Sequence, residues 1–216
     1  IYGGETTGNT AAGSAEGTGN GGGVYMSGGT FHMRGGSITD NTTDVYSNGE
    51  GNGGGVYVSG GTFNMSGGSI TGNDSNGVFV WGNATFTVSG AATVKGNTRE
   101  GAASNVFLTG SAKITIGGKL TGSPNSIGVT RGAYLDIANN VNEDYSGIFF
   151  SDKTQYVVKY DNKQLVLAVP SAVTHTHSWQ FTKETGNDST IFVSCKGTPG
   201  SCDYKNTPAT VKISTD

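Results

Sequence analysis

Short apolar runs separated by glycine pairs set the character of this chain. VYV, TFNM and SIT follow one another between Gly55 and Gly72, parted by Ser-Gly-Gly. Runs this short cannot be helices, and β-branched or aromatic residues between Gly-Gly breaks predict strand–turn–strand. The same text stands earlier: Gly19–Asn41 and Gly51–Asn73 are near-copies, 32 positions apart. A fixed displacement between near-copies predicts a repeat architecture. The expected fold class is therefore all-β, a β-solenoid with three strands per coil and its coils stacked in parallel.

Alternation assigns the faces. Phe31 and Met33 flank His32, Phe63 and Met65 flank Asn64, Phe86 and Val88 flank Thr87, Ile114 and Ile116 flank Thr115, and Leu135 and Ile137 flank Asp136. A polar residue between two apolar ones predicts an outward side chain with inward neighbours. The SIT run places Ile38 and Ile70 inward, followed by Val94 and Leu120, and Ile1 reads as the remnant of an earlier coil. The first run puts Val24 and Met26, Val56 and Val58, Val78 and Val80, and Val106 and Leu108 inside, then Ile127 and Val129. Its outward position is aromatic throughout: Tyr25, Tyr57, Phe79, Phe107. With coils about 4.8 Å apart, these rings form a ladder on one face. Trp81, two residues beyond Phe79, either extends that platform or plugs a turn.

First-run starts are spaced by 32, 22, 28 and about 21 residues, so the connection leading into each first run varies most. Its long versions, 3–23 and 39–55, arrive just before Tyr25 and Tyr57, where they are expected to wall a shallow groove; solenoid insertions gather on one side. Asn41, Asn73 and Asn97 recur after the third run and predict coil-to-coil amide hydrogen bonds. From Val141 the pattern loosens into longer strands, GIFFS, TQYVVKY and KQLVLAV, with a hairpin turn over Tyr160-Asp161-Asn162-Lys163. These are expected to cap the solenoid, giving one domain over 1–169, a linker over 170–173, and a small β-sandwich-like domain over 174–216 with runs SWQFT, STIFVSC and ATVKIST.

Composition narrows the partners. Gly is 38 of 216 residues without the period of collagen, and charged residues are 13%, well under the usual quarter. A formal charge of −3 gives no electrostatic case for nucleic acid or an anionic membrane. No apolar run approaches the roughly 20 residues of a membrane-spanning helix. Ile1 falls in mid-pattern, so further domains of the same chain are expected on both sides.

Candidate chemistry is sparse. Cys195 and Cys202, in CKGTPGSC, read as a disulfide that staples a tail too small for a large core. One alternative adds His175 and His177 from THTHSW for a closed zinc site, although CxxC is the usual spacing, and the other is a pair of free thiols with no role. Polysaccharide-cleaving solenoids need two or three carboxylates around the scissile bond. Here Asp136 is the sole outward acid on a strand, while Asp40, Asp44, Glu50 and Asp74 sit in loops, with Arg34 and His32 further round. No catalytic motif such as GxSxG or HExxH occurs. An enzyme is thus not expected, and no cofactor is implied. The ladder has two readings: stacking faces for sugar rings, with His32 and Asn64 as polar contacts, or rings that brace the solenoid.

The pattern GGGVYV–GGTFNMSGGSITGN resembles the right-handed parallel β-helix repeats of adhesin-like surface proteins of gut-dwelling bacteria, Firmicutes especially. The tail THTHSWQF…CKGTPGSC…ATVKIS is similar to the short domain that follows such helices. The resemblance implies a secreted or cell-surface protein that touches glycans or surface proteins, and supplies no catalytic residues. Three functions follow as expectations: a non-catalytic binding module using Tyr25, Tyr57, Phe79, Phe107 and Trp81, a rigid spacer, or a glycan-active enzyme drawing acids from loops.

Overall fold

A computed structural model of the chain describes residues 1–13, 19–44, 51–131 and 135–170, and the backbone of three strands further on. The chain forms two compact units, Ile1–Pro170 and Ser171–Asp216. Among the described residues every element is β, so no helix is long and apolar enough to cross a membrane. In the second unit, Trp179–Lys183, Ile191–Cys195 and Thr207–Ala209 pair antiparallel in one three-stranded sheet.

In the first unit each apolar run pairs in parallel with its own copy. Tyr25 faces Tyr57, Tyr57 faces Phe79 and Phe79 faces Phe107 along the Val24–Met26, Val56–Val58, Val78–Val80 and Val106–Leu108 strands. These strands and the third-run strands Glu5–Thr7, Ser37–Thr39, Ser69–Thr71 and Thr93–Val94 belong to one ten-stranded sheet. The two arms meet on Ile127–Arg131, where Ile127 pairs with Val94 and Val129 with Val106, so the sheet curls back on itself. The second runs build a seven-stranded sheet through Thr30–Met33, Thr62–Met65, Thr85–Gly90, Ile114–Leu120 and Asp136–Asn139. The antiparallel hairpin Val157–Asp161 and Gln164–Ala168 covers its end, turning through Asn162 and Lys163, both with positive φ as a two-residue hairpin requires.

Alternation places the core as the pattern predicts. Met33, Ile38, Val56, Val58, Phe63, Met65 and Ile70 are all buried, and Phe31, Phe63 and Phe86 stack inside with centroids 5.2 and 5.0 Å apart. Burying such side chains is worth about 1.5–3 kcal/mol each.

Two column assignments and one inward assignment change, while Leu120, Ile127 and Val129 are buried as expected. Ile127, not Leu120, follows Val94 in the third-run column, and Val129 with Arg131, not Ile127 with Val129, continues from Val106 and Leu108. The cause lies in two places: Val88 pairs with Ile116 but Gly90 with Leu120, so the Ile114–Leu120 strand carries two extra residues, and the connection from Leu120 to Ile127 is three residues longer than the one from Gly90 to Val94. Leu135, expected inside, is 46% exposed, while Ile137 and its neighbour Ala138 are both buried.

The triple glycines have a steric reason. The chain entering each first run hydrogen-bonds backbone to backbone with its copy, Gly23 N–H to Gly54 O at 2.9 Å and Gly55 N–H to Asn76 O at 3.1 Å. The chain leaving the third run crosses just beside it. A Cβ on Gly54 would lie 1.5 Å from the Asp74 carbonyl oxygen. No side chain fits there.

Candidate functional site

The outward ladder forms as stacked rings. Tyr25 and Tyr57 centroids are 5.5 Å apart at 6°, Tyr57 and Phe79 5.2 Å at 23°, and Phe79 and Phe107 5.3 Å at 3°. Parallel in-register strands hold identical positions one strand spacing apart, so rings at those positions meet face to face. The inner rings therefore turn their faces to each other and only their edges to solvent. Phe79 departs from the expected exposure: it is 3% exposed. Tyr57 and Phe107 cover its two faces, and Trp81 lies beside it with centroids 6.3 Å apart.

Trp81 extends the platform. The backbone ladder from Ser59 to Met26, Trp81 to Val58 and Thr109 to Val80 places Ser59, Trp81 and Thr109 in a second outward column beside the rings. Trp81 is 54% exposed and Tyr25 56%, the two open rings of this face. Ser59 Oγ lies 3.5 Å from the Tyr25 hydroxyl, bringing the two columns together. Next to Tyr25 an open groove of about 310 Å³ is lined by Ala11, Ala12, Gly19 and Asn20. Burial raises the pKa of the Tyr57 hydroxyl, and Tyr25 beside it adds to the shift, so Tyr57 stays a neutral donor near pH 7.

His32 and Asn64 stand elsewhere. They face each other in register on the seven-stranded sheet, in a column continued by Thr87, and do not join the ladder.

The asparagines form a longer column than the repeat predicts. Asn9, Asn41, Asn73 and Asn97 each donate Nδ2–H to the next Oδ1, at 2.8, 3.0, 2.9 and 3.1 Å, the last reaching Asn105. Asn105 Nδ2 then donates to Asp152 Oδ1 at 2.5 Å, and Asp152 Oδ2 accepts from Asn105 N–H and the Thr130 hydroxyl. A carboxylate has acceptors only, which suits the end of a one-way chain of donors. Sequence reading missed Asn105 because it precedes a first run. A hairpin from Thr98 to Ala103, turning through Glu100 and Gly101 with positive φ, brings it beneath Asn97 only 8 residues on. Asp152 breaks the Asn pattern altogether.

The acids are placed separately. Asp136 pairs with the Lys113 ammonium and with Arg131 Nη2 at 3.5 Å. Burial pushes its carboxyl pKa up, but the Lys113 hydrogen bond and the Lys113 and Arg131 charges outweigh it and hold the carboxyl below its ordinary range. Asp74 Oδ1 accepts from Ser75 N–H and the Thr98 hydroxyl, while Arg34 packs over the Tyr2 ring. Among the described residues no three of His, Cys, Asp and Glu gather as metal ligands. His175, His177, Cys202, Glu50 and the Cys195 side chain lie outside the described residues.

No family model, curated protein or solved structure matches the chain.

Proposed function

We propose that the first unit is a right-handed parallel β-helix, three strands per coil, that serves as a non-catalytic, adhesin-like binding module outside the cell. Its contact face is the outward side of the first strands around Tyr25 and Trp81, together with the groove beside Tyr25. One observation carries the reading: two large aromatic rings stay more than half exposed on the same face of one sheet. Open indole and phenol faces offer stacking surfaces for the C–H faces of sugar rings, and the hydroxyls of Ser59, Thr109 and Tyr25 offer hydrogen bonds to sugar hydroxyls. The partners are glycans or glycan-bearing surface proteins, and no cofactor is needed. The tail is proposed as a small β domain closed by a Cys195–Cys202 disulfide, to be checked by free-thiol titration before and after reduction.

A spacer role is the second reading, favoured by the face-to-face packing of the inner rings, which leaves Tyr57, Phe79 and Phe107 little open face. A glycan and mucin array separates the two. The chain is compared with a Tyr25→Ala, Trp81→Ala double variant whose unfolding transition matches the parent's. Binding lost in the variant supports the module. Binding retained in full moves the contact face elsewhere, and no binding by either protein favours the spacer.

A further inference from the structure

The two extra residues in the Ile114–Leu120 strand do more than shift the register. A bulge bends its strand and re-aims side chains, and bulges concentrate beside functional sites. This one lies between Ile116 and Leu120, and Gly118 and Lys119 within it are exposed at the rim of a recess of about 210 Å³. Asn140, Asn142, Glu143 and Tyr145 from the segment after the Asp136–Asn139 strand complete the walls, with Ile116 as the apolar part. The far wall is also shaped by special backbone, since Asn140 has φ of +55°. Tyr145 is buried and its hydroxyl donates to Glu143 Oε2 at 3.0 Å, which fixes the carboxylate and leaves Oε1 for another donor.

The chemistry of these groups selects a ligand class. Lys119 and Glu143 carry opposite charges on one small recess, so it has no net preference for an ion. The ammonium donates, the carboxylate accepts, and the two asparagine amides do both. Several groups that each donate and accept are what such a lining matches, and hydroxyls on a compact ring are that pattern. Half-buried Ile116 supplies an apolar patch for the ring's C–H face.

We propose that this recess at the bulge binds one neutral sugar residue of a glycan. The site lies on the seven-stranded sheet and does not depend on the Tyr25 and Trp81 face. The test is amide-shift NMR of the whole chain titrated with D-glucose, D-galactose and N-acetyl-D-glucosamine, with glycerol as a polyol control. A ligand of this size gives a dissociation constant on the order of 1 mM. Expected are saturable shifts at 116–120 and 140–145 with at least one sugar and none with glycerol. A Lys119→Ala, Asn142→Ala variant should weaken them about tenfold or more, while the Tyr25→Ala, Trp81→Ala variant keeps them. Glu143→Gln, which leaves Tyr145 an acceptor, serves as a second variant if the first does not fold. No saturable shifts there with any of the three sugars, or equal shifts in the recess variants, would overturn the proposal.

Discussion

Replacing Asn73 with alanine removes five hydrogen bonds from the middle of the asparagine column. Asn73 Oδ1 accepts from the Asn41 N–H and Nδ2 at 3.0 Å each, and its Nδ2 donates to Ile38 O, Thr71 O and Asn97 Oδ1. Four of the affected partners keep other bonds or solvent access, so each loss costs about 0.5–1 kcal/mol. The Asn41 N–H is buried and has no other acceptor among the bonds described, and a buried orphan donor costs about 1–3 kcal/mol. Together these give about 3–7 kcal/mol. Asn9→Ala makes the contrast: its Nδ2 bonds to Thr7 O and Asn41 Oδ1 lie near the surface, and their loss should cost about 1 kcal/mol or less. Urea unfolding of the two variants against the parent, compared at unchanged slope, reads the difference. Costs within about 0.5 kcal/mol of each other would refute the idea that the amide column holds the repeats together.

Other expectations follow from the same structure. Gly54→Ala should cost at least about 3 kcal/mol or prevent folding because its Cβ meets the Asp74 carbonyl, whereas Gly28→Ala, in open space with ordinary φ, should stay within about 0.5 kcal/mol, both read from thermal unfolding. Phe79→Ala removes a buried ring and should cost about 3–4 kcal/mol, against about 1 kcal/mol for exposed Tyr25→Ala; equal costs would show that the ladder's centre is not packed as described. Asp136 has a lowered folded pKa, so its stabilising contribution is present above the unfolded value of about 3.9 and lost as pH falls through the lower folded one. Asp136→Asn should therefore lower the melting temperature at pH 6 and converge with the parent near pH 2, measured by calorimetry across that window.

Much of this was legible in the chain because its repeats are local copies. A 32-residue displacement fixed which strands pair, and alternation fixed which faces are buried, so Met33, Ile38 and Phe63 were readable as core. The ladder was legible for the same reason. What alternation cannot express is what lies beside a side chain across a column: Trp81 covering Phe79 depends on two neighbouring columns, so alternation alone predicts an open ring where the structure buries one. Register shifts hide likewise, since the two extra residues at Gly117–Lys119 are themselves polar or glycine and leave no mark in the hydrophobic pattern. Asn105 and Asp152 join the amide column only through a hairpin and a late strand, a tertiary coincidence that no repeat predicts.

Trp81 offers the most direct view of the central claim, that the outward face around it and Tyr25 is where a ligand sits. The chain has 2 tryptophans, so a Trp179→Phe background isolates its emission. Acrylamide quenching of Trp81 is then measured free and with the array ligand bound at saturation. The binding account predicts efficient quenching in the free protein and strong protection in the complex. Equal quenching in both, with binding confirmed, would contradict it.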